Sequence, residues 1–261
     1  LKLATPIIGA PITGNTYNMG GALSEQEWCD AVVNACREVG TISGIGDGAD
    51  PEMYNAGLKS LQAADGWGIA FIKPRAQEEI IKRIRAAEAA GAKAVGIDVD
   101  GAGLVTMAMK GQPVGPKTAA ELRELIQATK LPFIIKGIMT VDEAETAAEI
   151  GAAAIVVSNH GGRVLDHSPG TAEILPDIVD QVGDAITVLV DGGVRSGTDV
   201  LKLLALGAKA VLVGRPLITG AYGGGVEGVK LIVNTMTNEL KQAMILTGCK
   251  SVEEVDPEIL F

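Results

Sequence analysis

The sequence predicts an α/β fold, a single-domain (β/α)8 barrel of the TIM type. Three observations carry that expectation. Short apolar runs alternate with amphipathic helical stretches eight times. Nearly every run ends in polar or glycine residues. The 261-residue length suits one such barrel. An open doubly wound sheet built from the same units is the other arrangement the pattern allows.

The expected strands are Pro6–Ala10, Gly40–Ser43, Gly68–Ile72, Ala94–Val99, Pro132–Lys136, Ala153–Ser158, Ile186–Asp191 and Ala210–Gly214. Helical stretches follow them: Ser24–Val39, Pro51–Ala64, Gln77–Ala90, Thr118–Thr129, Val141–Ile150, Thr171–Val182, Gly197–Leu206 and Gly225–Leu246. Capping boxes are expected at Ser24 with Glu27, Thr140 with Glu143, and Ser251 with Glu254. Gly91, Gly151 and Gly207 stop helices just before a strand. No linker or low-complexity run divides 1–261.

Hydrophobic residues make up 47% of the chain and aromatics only 3%, so Ala, Val, Ile and Gly carry the core, as buried parallel strands require. A net charge of −10 argues against nucleic acid or an anionic membrane as partner. No apolar run is long enough to span a membrane. Cys29, Cys36 and Cys249 form no zinc spacing, and Cys29 and Cys36 share a helix face too far apart to bridge, which predicts a reducing cytoplasmic compartment. The chain opens on Leu1 rather than Met and reaches a strand by Pro6, so an N-terminal segment of a longer protein is expected ahead of it.

Chemistry in a barrel sits at the C-terminal strand ends. There the sequence offers Thr13, Ser43, Lys73, Asp98, Asp100, Lys136, His160, Asp191 and Arg215. His160 and Arg163 lie on the glycine-rich turn Ser158-Asn159-His160-Gly161-Gly162-Arg163, where a base and an anion clamp can serve one small carboxylate substrate. In a plainer role they are a turn residue and a surface charge. Asp191-Gly192-Gly193 with Arg195, and Gly214-Arg215, end strands 7 and 8, where barrels often hold a phosphate. Both arginines could instead cap the barrel through carboxylates such as Asp191.

From about Lys117 to Val255 these motifs, with Ile135-Lys136-Gly137 and Thr247-Gly248-Cys249, resemble the FMN-dependent α-hydroxy-acid dehydrogenase/oxidase family. The resemblance implies FMN as cofactor and a homo-oligomer, and leaves the electron acceptor unknown. It makes His160 the base, Asp100 its carboxylate partner and Arg163 the holder of the substrate carboxylate. Lys136 would lie beside flavin N1 and O2, and Asp191 against the ribityl chain. Arg195, Arg215, Gly193 and Gly214 would cradle the phosphate, with Thr13, Ser43 and Asp98 near the ring. The chain also departs from the family. A Gln and a Tyr on strand 3 fall on Ala70 and Ile72, and a Thr on strand 4 falls on Asp98. A second substrate arginine has no counterpart in Gly101–Met109, and another active-site Tyr lies upstream of Leu1. Three readings follow. One is oxidation of a 2-hydroxy acid, another an FMN-binding barrel serving a different redox role or an electron-transfer assembly. The third is a non-redox phosphate-binding barrel with Lys136 as a Schiff-base lysine.

Overall fold

The computed structural model describes residues 1–260 of the chain. In order the elements are β1 (Ile7–Gly9), α1 (Asn15–Asn18), α2 (Glu25–Glu38), β2 (Gly44–Ile45), α3 (Pro51–Ala63), β3 (Ile69–Ile72), α4 (Gln77–Ala89), β4 (Ala94–Asp98), α5 (Val105–Met109), α6 (Ala119–Gln127), β5 (Phe133–Ile138), α7 (Val141–Glu149), β6 (Ala154–Val157), α8 (Thr171–Val182), β7 (Thr187–Val190), α9 (Gly197–Ala205), β8 (Ala210–Val213) and α10 (Arg215–Thr247). The eight strands form one parallel sheet in the order β1-β8-β7-β6-β5-β4-β3-β2. A bridge between Gly9 and Ser43, with Gly9 N–H donating to Ile42 O at 3.0 Å, joins the two edges. The sheet is therefore a barrel and not an open doubly wound array.

Strand 2 is displaced from the expected Gly40–Ser43. Thr41 N–H donates to Cys36 O at 2.8 Å, and Thr41 O accepts the Trp67 indole N–H at 2.7 Å. Those backbone groups are spent before a ladder can form, so regular pairing starts at Gly44. The region expected as one helix from Gly225 belongs to α10, which starts at Arg215 and kinks at Gly224 and Gly225. The Ser24 box forms in full. At Thr140 the hydroxyl caps Glu143 N–H, but the Glu143 carboxylate turns to Met139 N–H instead. Ser251 makes no side-chain cap. Gly91, Gly151 and Gly207 end their helices at positive φ as expected.

Side chains alternate between two apolar layers. Ile8, Phe71, Ile134, Val156, Leu189 and Leu212 fill the barrel interior. Ile7, Ala70, Ile72, Ile97, Ile135 and Val190 face the helices. Two residues past each interior side chain the rim begins, and the same alternation turns Lys73, Asp98, Lys136, Ser158 and Asp191 inward. All five are buried. No helix among the described residues is long and apolar enough to cross a membrane.

Candidate active site

On strand 3 the alternation corrects one expectation. Ala70 and Ile72 belong to the helix-facing layer, whereas Phe71 is interior. The inward positions are therefore Phe71 and Lys73, and it is Lys73 that reaches the mouth. The apolar run hid this, because strands buried on both faces show little alternation of polarity.

Lys73 Nζ lies 2.7 Å from Asp98 Oδ2, and Lys136 Nζ lies 3.4 Å from Asp98 Oδ1 and 3.4 Å from Asp191 Oδ2. Lys136 also donates to Ser158 Oγ at 3.0 Å. Burial alone would push the Lys136 ammonium down, but the charges of Asp191, Asp98 and Asp100 outweigh it and hold the group above the usual lysine range. Burial would raise the Asp98 carboxyl. Lys73, Lys136 and His160 together hold it below the usual carboxylate range.

Asp100 sits on the 3-10 turn Val99–Gly103 that follows β4. It packs against Gly137, where β5 shifts register between Lys136 and Ile138. Gly137 has φ 105°, and a Cβ there would lie 2.7 Å from Asp100 Cβ and Cγ. No other residue type fits that contact. His160 takes a left-handed φ of 57°, and its N–H donates to Ser158 Oγ at 3.1 Å. Its Nδ1 is 2.9 Å from Asp100 Oδ2. An ionised carboxylate only accepts, so Nδ1 carries the hydrogen and Nε2 of a neutral ring is the free base. Ser158 ties the Lys136 ammonium to the His160 backbone. The sequence reading placed Ser158 in the motif but gave it no role, and its inward position two residues after Val156 was the available signal.

Among the buried oxygens without a hydrogen-bond partner are Ser43 Oγ, Asp100 Oδ1 and Asp191 Oδ1. Thr13 Oγ1 is already 3.4 Å from Asp47 O. Gly193 has φ 71° and open space where a side chain would stand. Arg195 and Arg215 are exposed and make no ion pair with Asp191; Arg215 Nη2 is 3.4 Å from Gly161 O. The N-terminus of α9, expected to face an anion, is closed from within. Arg195 and Ser196 N–H groups go to Asp199 Oδ2, and Gly197 N–H goes to Glu239 Oε2 at 2.7 Å. An anion cradle is thus left to Gly193, Gly214, the two guanidinium groups and the start of α10. Arg163 is exposed on its turn and makes no hydrogen bond or ion pair among the described residues. Asp98, Asp100 and His160 bring ligand-type atoms within 4.8 Å of one another, but two ammonium groups already neutralise Asp98 and disfavour a cation there.

The family described as FMN-dependent dehydrogenase matches residues 105–261. A peroxisomal (S)-2-hydroxyacid oxidase of Arabidopsis thaliana is 47% identical over 135 residues, 52% of this chain and 37% of that protein. An L-lactate oxidase of Lactobacillus jensenii is 43% identical over 162 residues, 62% of this chain and 39% of that protein. The match thus spans well under half the length of these relatives. Mandelate oxidase, solved with benzoyl-formic acid, superposes with TM-score 0.82 at 32% identity, covering 97% of this chain and 77% of that one. By the stretch matched and by the barrel around it, the chain belongs to the FMN-dependent dehydrogenase family.

Proposed function

We propose that residues 1–261 form one FMN-binding barrel domain that oxidises a 2-hydroxy acid to the 2-oxo acid. The observation that carries this reading is the His160–Asp100 pair, 2.9 Å apart beside the Lys136 floor. The residues present fit FMN. The unpartnered Asp191 Oδ1 suits a ribityl hydroxyl and the unpartnered Ser43 Oγ a ring heteroatom. Gly193, Gly214, Arg195 and Arg215 suit a terminal phosphate, while Thr13 and Asp98 complete the rim near the ring. Bound there, FMN would accept the two electrons that leave the substrate.

Converting R–CH(OH)–COO⁻ to R–CO–COO⁻ also releases two protons. His160 Nε2 takes one of them, and Asp100 stabilises the imidazolium that forms; the other would leave with the two electrons to FMN. Arg163, three residues along the same turn and free of other partners among the described residues, takes the substrate carboxylate in its planar fork. Lys136 stays charged between Asp98 and Asp191, so it supplies a cation to the site and not the neutral amine that Schiff-base chemistry needs. We further propose a reducing cytoplasmic compartment, supported by three free cysteines. A homo-oligomer is supported by Leu231, Ile245 and Leu246, which α10 leaves exposed.

The test is anaerobic bleaching of the FMN-loaded protein by a panel of 2-hydroxy acids. At least one acid should bleach it, and His160→Gln should keep FMN while bleaching falls at least ~10²-fold. Bleaching by His160→Gln at the wild-type rate removes His160 from the chemistry. A wild type that binds FMN but is bleached by none of the acids favours the alternative of an FMN barrel in another redox role.

A further inference from the structure

We infer that Lys73 is a positioning residue whose own charge offsets that of Asp98 and so sets the field felt at Lys136. The inference rests on the FMN reading above. Lys73, Asp98, Lys136 and Asp191 form a chain of alternating charge across the barrel mouth, with contacts of 2.7, 3.4 and 3.4 Å. None of the four is more than 8% exposed. Asp98 is shared: one oxygen faces Lys73 and the other faces Lys136. If Lys73 were neutral, Asp98 would give its whole charge to Lys136, and the cation turned toward the ligand would be cancelled. Lys73 takes up part of that carboxylate's charge, so Lys136, which also faces Asp191, is cancelled less completely than it would be without Lys73.

The lysine is fixed at both ends. Its backbone N–H donates to Asp47 Oδ2 at 3.1 Å, and Asp47 is itself clamped by Arg75 Nε at 2.8 Å and Arg75 Nη2 at 3.1 Å. The backbone that carries the ammonium is therefore tied to a second buried ion cluster, and the side chain leaves from a fixed point toward Asp98. Stability alone is a weak reason for such a pair, because desolvation of two buried ions commonly cancels their attraction. A preorganised charge at the end of the strands, where chemistry sits in a barrel, is a better one.

Reduction adds negative charge to the bound cofactor, so the midpoint potential of FMN in the folded protein reads this field directly. Lys73→Met should lower the potential and Asp98→Asn should raise it. The affinity ratio for oxidised over reduced FMN should change about tenfold each way, the scale of one charge at roughly 10 Å in a medium of intermediate dielectric. Lys73→Met/Asp98→Asn should return close to wild type, and Lys73→Arg should hold the wild-type value. Shifts of both single variants in one direction, or none in either, overturn the inference and mark the pair as structural. Should Lys73→Met fail to fold, Asp98→Asn and the double variant still decide. Equal potentials in those two show that Lys73 contributes nothing. A wild type that binds no FMN sinks the functional proposal instead, which separates the two failures.

Discussion

Gly137 decides whether the His160–Asp100 pair can form. Its φ of 105° lies where a side chain is strained, and a Cβ would stand 2.8 Å from Asp100 N as well as 2.7 Å from Asp100 Cγ. Gly137→Ala must therefore push the turn that carries Asp100 away from His160, or disturb the register shift that β5 makes between Lys136 and Ile138. We expect a stability loss of about 1–3 kcal/mol, the range for strained backbone. Reduction of bound FMN by substrate should fall at least ~10²-fold, the low end for a lost acid–base group. Thermal unfolding and anaerobic reduction measure the two effects separately, and a variant that reduces at the wild-type rate would mean that Asp100 does not act through its present position. His160 presents a similar constraint. Its left-handed φ of 57° is uncommon for a residue with a side chain, and its N–H bond to Ser158 compensates part of the strain.

At the scale of elements, two helix starts divide the labour around the expected phosphate. The start of α9 is bonded to Asp199 and Glu239, so Asp199→Ala should cost about 1 kcal/mol as an ordinary lost cap. The start of α10 carries Arg215, exposed and, among the described residues, bonded only at 3.4 Å to Gly161 O. Arg215→Ala should leave the melting temperature nearly unchanged yet weaken FMN binding by roughly 1.5–3 kcal/mol, the range for a hydrogen bond to a charged group. Titration with FMN alongside thermal melts distinguishes these roles; unchanged affinity in Arg215→Ala refutes the cradle. Sequence was a good guide to elements whose backbone bonds stay local. Strands β4 through β8 and helices α6 through α9 lie within a few residues of expectation. It failed at β2, where Trp67, distant in sequence, takes the Thr41 carbonyl. It also missed the first part of α10, whose Gly220, Gly223 and Gly224 hide a helix that tertiary packing stabilises. The site was legible as a set of strand-end residues. Which of them face inward was not, because period-two polarity is erased in an all-apolar strand, and so Lys73 was recognised only as a strand end.

Across the whole molecule the excess of acid, a net charge of −10, contrasts with a mouth where four buried charges alternate and cancel. The rest of that acid lies largely on exposed helix faces, where screening makes each charge worth little. The buried floor is different, and its pH dependence has a definite sign. Asp98 in the folded chain is held below the ordinary carboxylate range by Lys73, Lys136 and His160, against the opposing effect of burial. The unfolded chain, with an ordinary aspartate near pH ~4, therefore takes up the proton first as pH falls. Asp98 thus contributes stability that is present above that range and drains away as acidification proceeds toward its lowered folded value. Lys73→Met/Asp98→Asn lacks this linkage. Wild type and double variant should differ most near neutral pH, and the difference should move against wild type as pH drops below ~4. Urea unfolding at a series of pH values measures it. A difference independent of pH would show that Asp98 titrates normally in the folded barrel, and the charge-sharing between Lys73 and Lys136 would lose its physical basis.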